Sequence, residues 1–250
     1  MQVPDWGWRL AGCLCFAALW HGLAAGGGGL AVAAPLETLG ALAGLLARGE
    51  FWLEAVLPTL ARVLTGFGLG AAAGGALGGW AGLHRGAGLF LLPLRWVLSS
   101  VPGVVLAILA MLWWGSGSGM VVAIVALSVA PTIYLAAREG FAAVDDGLRE
   151  MARAYGLGWR KRLTALYLPA AAAPFLSGCV VALGGGMRVA ILGETLGASR
   201  GLGYTLALAR ANLDTPKLYA VALVSMLLVS LVEATLLRGL RRALRPGGRP

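Results

Sequence analysis

Residues 62–83, RVLTGFGLGAAAGGALGGWAGL, decide the fold class of this chain. The stretch is apolar after its first residue and long enough to cross a hydrocarbon core about 30 Å thick. Its glycines recur at every fourth position: Gly66, Gly70, Gly74, Gly78 and Gly82. Such a repeat lines one ridge of a helix, where small residues let neighbouring backbones approach closely in lipid. The stretch therefore predicts a membrane helix buried in a helix bundle or a dimer.

The composition of the whole chain agrees with a membrane location. Of its 250 residues, 59% are hydrophobic and only 12% are charged, and the mean hydropathy is +0.81. Soluble domains have about 25% charged residues, so this chain has too little polar surface to cover a soluble fold. We predict an all-α integral membrane protein with about six transmembrane helices.

Apolar runs predict where these helices lie. The predicted spans are near 9–27, 62–83, 88–112, 119–137, 170–192 and 218–238. The segment from Pro35 to Pro58 has a partly amphipathic pattern, which predicts an interfacial helix followed by a short linker. We divide the chain into an N-terminal transmembrane helix at 1–34, a core domain at 35–245 and a tail at 246–250. We favour retention of the first helix in the mature protein. The alternative is a signal peptide that is cleaved after Ala24 or Ala25.

The distribution of Lys and Arg predicts the orientation. With the N-terminus inside, the cytoplasmic segments contain 13 of the 20 basic residues: Arg9, Arg85, Arg138, Arg149, Arg153, Arg160, Lys161, Arg162, Arg238, Arg241, Arg242, Arg245 and Arg249. The outer segments contain four: Arg48, Arg200, Arg210 and Lys217. Because cytoplasmic loops are enriched in Lys and Arg, both termini are predicted to be cytoplasmic. The same distribution explains the net charge of +9 without nucleic acid as a partner.

Signatures of catalysis and of metal binding are missing from the sequence. Cys13, Cys15 and Cys179 lie in apolar stretches without metal-ligand spacing, and His21 and His84 are isolated. No GxxxxGK phosphate loop, GxSxG or HExxH motif occurs. We therefore predict no metal site, no cofactor in this chain and no enzymatic activity.

The one strongly polar stretch, residues 138–168, lies between the fourth and fifth spans. It reads REGFAAVDDGLREMARAYGLGWRKRLTALYL and is followed by Pro169. Its apolar residues recur at helical spacing, and Gly156-Leu157-Gly158 interrupts them, which predicts two short surface helices joined by a glycine turn. A simple connection between spans would be much shorter, so this loop indicates a docking partner.

The loop resembles the EAA loop of ABC importer permeases. That family pattern is Glu-Ala-Ala, three residues, Gly, nine residues, Ile, one residue and Leu-Pro. This chain has Glu150-Met151-Ala152, then Gly156, then Leu166, and Leu168-Pro169 at the same spacing. Its departures are Met151 for alanine and Leu166 for isoleucine.

The resemblance implies a function for this loop. In the family the loop couples the permease to ATP-binding subunits, so Glu150, Ala152 and Gly156 are expected at that interface, with Arg153 and residues 160–162 around it. Leu166 and Pro169 complete the matched motif. ATP and Mg would then be bound by the partner ATPase. The other implied partners are a second permease copy, a periplasmic substrate-binding protein and the lipid of a bacterial inner membrane.

The resemblance extends over residues 35–245. RVLTGFGLGAAAGGALGGWAGLHR, LRWVLSSVPGVVLAIL, WWGSGSG and GETLGASRGLGYTLALA are similar to permeases of sulfonate, taurine and nitrate importers. Residues 231–234, Leu-Val-Glu-Ala, replace the glycine-rich stretch ending in Asp that those permeases usually have. The resemblance thus implies transport of a small solute, with an anion favoured. A membrane scaffold or sensor that docks a cytoplasmic partner without transport is the alternative.

Several residues are candidates for the translocation pathway. Arg188 lies deep in the fifth span, where an ionisable side chain either faces a pathway or extends to the outer interface. Glu194 lies six residues further on, well off the helix face of Arg188, so the two are not a natural pair within one helix. Trp113, next to Trp114, either forms part of an outer gate or anchors the chain at the interface. Pro102, like Pro131, produces either a local kink or a gating hinge.

Overall fold

The structure, a computed structural model, describes residues 5–26 and 31–243. The predicted tail at 246–250 lies outside the described residues. The described residues form helices and short connections in this order: α1 (Asp5–Gly26), α2 (Pro35–Leu46), α3 (Gly49–Phe51), a π-helical turn (Trp52–Val56), α4 (Leu57–Leu83), α5 (Arg85–Ser100), α6 (Gly103–Trp114), α7 (Ser118–Ala142), α8 (Asp146–Ala154), α9 (Trp159–Arg162), a second π-helical turn (Leu163–Tyr167), α10 (Leu168–Gly197), α11 (Leu202–Ala211) and α12 (Thr215–Ala243).

Five helical runs are long and apolar enough to cross a membrane. They are Trp6–Gly26, Gly49–Leu83, Ser118–Ala142, Trp159–Gly197 and Thr215–Gly239. The α5–α6 pair meets the same criterion as a unit, although its two helices are bent by 102°. With the bent pair taken as one span, the described residues contain six, which confirms the predicted all-α membrane class.

The bent pair differs from the single run predicted near 88–112. Val101 has extended backbone, with φ −74° and ψ 122°, and directly precedes Pro102. The proline ring disfavours helical backbone at the preceding residue, so α5 ends at Ser100 and α6 begins at Gly103. Pro131 has a different outcome, because α7 continues through it from Ser118 to Ala142.

The glycine ridge of α4 packs directly against α7. A Cβ atom placed on any of its five glycines would overlap a backbone carbonyl oxygen of α7, at residues 122, 126, 130, 134 and 138 in turn. Both sets recur every fourth residue, so the glycine ridge lies along the α7 carbonyls at five successive contact positions. Each substitution would force the two helices apart, and the ridge therefore belongs to the bundle within one chain.

The centre of the bundle is α7, which lies between α4 and α10. Met120, Val121, Ile124, Val129 and Ile133 are fully enclosed along its length. In contrast, α1 is peripheral: most of its side chains are exposed, and Trp20 stacks on Tyr219 of α12 at 6.1 Å between ring centroids. We call the end of the bundle near residues 143–167 the loop end and the opposite end the far end.

Two long helices begin earlier than the sequence predicts. Both pass through a π-helical turn just before a Leu-Pro pair, at Pro58 and at Pro169. Proline lacks an N–H and crowds the carbonyl four residues earlier, and a locally widened turn accommodates both effects. Consequently the linker predicted before Pro58 is helical from Gly49. The second predicted surface helix is likewise the first part of the run Trp159–Gly197.

Candidate functional site

The connection between α7 and α10 begins with a capped amphipathic helix. An oxygen of the Asp145 side chain accepts a hydrogen bond from the N–H of Leu148 at 3.2 Å, which satisfies a free donor at the start of α8. Ala152 is buried within the chain, whereas Glu150 and Arg153 are exposed. A docking partner would therefore reach the two charged side chains, while Ala152 packs against the rest of this chain.

Gly156 makes the turn that ends α8. Its φ of +65° is in the left-handed region that favours glycine. The N–H of Leu157 donates to the carbonyl of Ala152 at 3.0 Å, and the N–H of Gly156 donates to that of Arg153 at 2.9 Å. This pair of bonds is the Schellman arrangement, which ends the helix and reverses the chain sharply toward α9.

The exposed side of this connection combines apolar and charged side chains. We call it the loop surface, formed by Leu148, Glu150, Met151, Arg153, Tyr155, Leu157, Trp159 and Arg160, all of them exposed. Contiguous exposed apolar groups rimmed by charges are typical of an interaction site. The loop surface thus has the composition of an interaction site.

Beyond the loop surface, the chain leads into the membrane without a break. Trp159 and Phe141 each lie 6.1 Å from Tyr167, measured between ring centroids, and this aromatic group joins the start of the long helix to α7. Leu166 is half-buried in the π-helical turn, and Pro169 is exposed at the start of α10. Trp159–Gly197 is one continuous helical run, so the exposed start of this helix and α10 belong to the same element.

A buried charge cluster closes the far end of the bundle. Arg62 of α4 donates from Nη1 to Glu194 Oε1 of α10 at 2.7 Å. The other carboxylate oxygen, Oε2, lies 2.8 Å from Thr59 Oγ1 and accepts from the N–H of Gly203 at 3.0 Å. Glu194 is fully enclosed. Its carboxylate is therefore saturated by partners from its own chain.

Arg62 extends this cluster to two further segments. Its Nε donates to Ser118 Oγ at 3.0 Å, and Nη1 also donates to the carbonyl of Arg200 at 2.7 Å. A Cβ atom on Gly201, whose φ is +116°, would overlap the Glu194 carboxylate. The cluster thus connects α4, α7, α10 and the 198–201 connection, which favours a structural role for Glu194 over contact with a transported solute.

A second ion pair lies within the membrane-spanning part of the bundle. Arg188 of α10 donates from Nη2 to Glu233 Oε1 of α12 at 3.3 Å. The Arg188 side chain is 68% exposed and that of Glu233 is 34% exposed. This pair is longer and more open than the Arg62–Glu194 pair. Of the predicted pathway residues, Arg188 is the one that offers an accessible charge to a solute.

The remaining predicted pathway residues lie on the bent pair. Trp113 and Trp114 end α6, are both exposed, and meet edge to face with ring centroids 5.7 Å apart. Pro102 is exposed at the bend itself. Their positions fit an anchor or a gate equally well. Among the described residues, no group of three or more His, Cys, Asp and Glu side chains could hold a metal ion.

Sequence reasoning did not single out three of the residues that matter here. They are Arg62, Thr59 and Glu233, and two of them are charged residues within or beside apolar runs. An ionisable residue in a membrane span is costly without a partner, so each of these charges was itself a signal. Pairing Arg62 with Glu194 across 132 residues, however, required the fold.

Comparison with known families resolves the class of the chain. A family described as "Binding-protein-dependent transport system inner membrane component" matches residues 74–247. The chain belongs to this family. The protein is therefore a multi-pass inner-membrane transport component, a permease subunit without catalytic activity of its own, as the loop motif predicts. Membership also favours transport over the scaffold alternative.

Two curated relatives of this permease are named "Putative aliphatic sulfonates transport permease protein SsuC". The one from Escherichia coli (strain K12) is 33% identical over 76% of this chain and 72% of its own length. The one from Bacillus subtilis (strain 168) is 31% identical over 64% of this chain. The permease matches 58% of the length of that Bacillus relative.

A solved structure has the same fold. It is described as inward-facing conformations of the MetNI methionine ABC transporter, with a TM-score of 0.68 and 20% sequence identity. The similarity covers 80% of this permease and 100% of that chain. It establishes the helical arrangement of an ABC transporter permease.

Proposed function

We propose that this permease provides the translocation pathway of an ABC importer for a small anion such as a sulfonate, taurine or nitrate. The observation that carries the proposal is the exposed guanidinium of Arg188, about 14 Å along α10 from its end at Gly197. A cation at that depth is costly against lipid and marks a cavity or a protein partner. The sulfonate description of two relatives supports the anion class.

A second permease copy completes the pathway. Ser177, Val181 and Arg188 are exposed on one side of α10, Met226 and Ser230 are exposed on one side of α12, and the half-exposed Glu233 joins the two sides through its contact with Arg188. We call these six residues the uncovered stripe. Because it contains an ion pair, lipid is a poor neighbour for it, and a second copy of the 35–245 core facing an aqueous path suits it better.

The remaining subunits follow from the importer class. Two cytoplasmic ATPase subunits would bind ATP and Mg, and a periplasmic binding protein would deliver the solute. The excess of Lys and Arg in alternate segments supports an orientation with both termini and the loop surface in the cytoplasm. The far-end cluster would then lie on the periplasmic side, and the exposed apolar side chains of α1 would contact membrane lipid.

Coupling is proposed to proceed through the loop surface. Glu150 and Arg153 would contact the ATPase, while buried Ala152 and the Gly156 turn hold α8 in position. When the ATPase dimer closes, it displaces the loop surface, and the continuous Trp159–Gly197 helix carries that displacement past Leu166 and Pro169 into the membrane. Arg188, on the same helix, would be exposed alternately to the two sides.

Proteoliposomes that contain the permease, its ATPase and its binding protein test this function. We expect ATP-dependent accumulation of a labelled small anion, screened over taurine, methanesulfonate and nitrate, with a neutral sugar and an organic cation as comparison solutes. Arg188→Gln should abolish accumulation, whereas Arg210→Gln, at an exposed arginine in the last turn of α11, should not. Accumulation of the sugar or the cation alone would show that the anion assignment is wrong.

A further inference from the structure

The two ion pairs of the permease have the same chemistry in opposite settings. Arg62 and Glu194 are 2.7 Å apart, with side chains 9% and 0% exposed, and each makes further hydrogen bonds. Arg188 and Glu233 are 3.3 Å apart, and this is the one bond to the Arg188 guanidinium among the described residues. A charge-assisted bond is usually about 2.7–2.9 Å long. The Arg188 pair is therefore loose, and most of its five donors remain free.

Gly184 holds the Glu233 carboxylate in this position. A Cβ atom on Gly184 would overlap Glu233 Oε1 and would approach its carboxyl carbon to 2.9 Å. The carboxylate thus lies directly on the α10 backbone, one turn before Arg188. At the next residue, Gly185, a Cβ atom would meet nothing within 4 Å. Because residue 184 is glycine, there is room for the Glu233 carboxylate against the α10 backbone. Gly185 has no such role, since a side chain there would not contact the carboxylate.

We propose that Glu233 is an internal substitute for the transported anion, bound to Arg188 until a solute anion takes its place. This inference rests on the proposed function and assigns its solute-binding site. A carboxylate and a sulfonate both present oxygens that can accept two parallel N–H bonds from a guanidinium. The accessible edge of Arg188 can therefore accept the solute as Glu233 withdraws toward the open side of the uncovered stripe.

This exchange solves two physical problems of a cation in a membrane pathway. In the absence of solute, Glu233 neutralises Arg188, which would otherwise be a costly unpaired charge. With solute bound, the displaced carboxylate is a nearby like charge and weakens the complex. The apparent affinity of the permease for the solute falls in proportion to the fraction of Arg188 side chains that are not paired with Glu233. If Glu233 is paired with Arg188 in about nine molecules out of ten, solute binding is about tenfold weaker. A weak site favours release into the cytoplasm.

Direct binding to the permease–ATPase complex in nanodiscs, without the binding protein, tests the exchange. Methanesulfonate is the probe, with binding followed by isothermal titration calorimetry. Glu233→Gln should tighten binding about tenfold, because the amide no longer competes for Arg188. Gly184→Ala should tighten it as well, because the added methyl displaces the carboxylate. Gly185→Ala is the matched control and should bind like the wild type, and Arg188→Gln should not bind.

The outcomes separate this inference from the proposed function. If the wild type accumulates anions in proteoliposomes but Glu233→Gln and Gly184→Ala bind methanesulfonate no more tightly than it does, the exchange is refuted and the function stands. The same holds if the matched Gly185→Ala control tightens binding equally. If no variant binds and the wild type accumulates no anion, both fail. Each variant is compared only after its permease–ATPase complex elutes as the wild type does in size-exclusion chromatography.

Discussion

Arg62 Nη1 lies 2.7 Å from Glu194 Oε1, and this enclosed contact fastens α4 to α10 at the far end of the permease. Burial raises the electrostatic cost of each charge and also the strength of their attraction. Here the attraction is reinforced by Thr59, Ser118 and a backbone amide, so every charge has a partner. The cluster therefore joins the helices at the far end of the bundle.

Removal of Arg62 should destabilise the permease strongly. Arg62→Met leaves the Glu194 carboxylate buried without its cation, which costs about 3–5 kcal/mol when a buried pair is broken. A lowered midpoint of thermal unfolding in nanodiscs would measure this loss. Arg200→Ala is the control, because only the backbone carbonyl of Arg200 enters the cluster and its side chain is exposed. Arg62→Met with wild-type stability would contradict the assigned role.

A double substitution distinguishes the charge from the packing. Arg62→Met combined with Glu194→Leu removes both charges and should recover part of the stability lost in the single variant, since neither partner is left unpaired. Equal losses in the single and double variants would instead assign the stability to the bonds that Arg62 makes with Ser118 and Arg200.

Alanine substitutions in α4 should have opposite effects on stability, depending on whether the glycine lies on the ridge. Gly74→Ala places a methyl group against the Ala130 carbonyl and should cost about 1–3 kcal/mol by forcing α4 from α7. Gly68→Ala lies on the same helix with nothing within 4 Å and should stabilise it by up to about 1 kcal/mol, because alanine is the better helix former. Thermal unfolding of the two variants in nanodiscs compares them. Equal effects would mean that the ridge has no packing role.

Much of the fold could be predicted because local sequence carries it. Glycines at every fourth position lie along one face of a helix, whichever element that face contacts. A proline in an apolar run marks a position where a helix can end. Position 131 shows the limit of that reasoning: α7 is enclosed on several sides, and its packing keeps the helix continuous through Pro131. Propensity alone could not separate Pro131 from Pro102, because tertiary contacts decide between them.

The parts of the candidate site that are formed by residues close together in the sequence could be predicted, and those formed by distant residues could not. The turn at Gly156 follows from a glycine between two amphipathic stretches, and the structure has the left-handed backbone that such a turn needs. Arg188 stood out as a charge in a span, but its partner Glu233 is 45 residues away on another helix. Spacing along one helix cannot identify such a pair, and Glu194, nearer in sequence, belongs to a different cluster.

The Gly156 turn should affect coupling rather than folding of the membrane core. Gly156→Ala forces an alanine into left-handed backbone, which costs about 1–2 kcal/mol, so α8 would lose its fixed position. We expect the affinity for the ATPase subunit to fall about 5- to 30-fold if binding must restore the turn. Gly158→Ala is the control, since Gly158 has φ −60° and ψ 158°, which any residue adopts. Biolayer interferometry with immobilised permease would measure both affinities.

The loop surface should contact the ATPase through Glu150 in particular. Glu150 is exposed on α8 beside Met151 and Arg153, so Glu150→Lys reverses a charge at the centre of the surface without disturbing buried groups. An interfacial charge reversal places like charges together and is expected to cost a few kcal/mol of binding. Transport per ATP hydrolysed in proteoliposomes should therefore fall at least tenfold, while the permease remains folded.

Glu139→Lys, at an exposed position near the end of α7 but outside the loop surface, controls for the change in net charge. If both variants lose transport equally, net charge rather than docking explains the loss, and if neither does, the partner contacts another part of the permease.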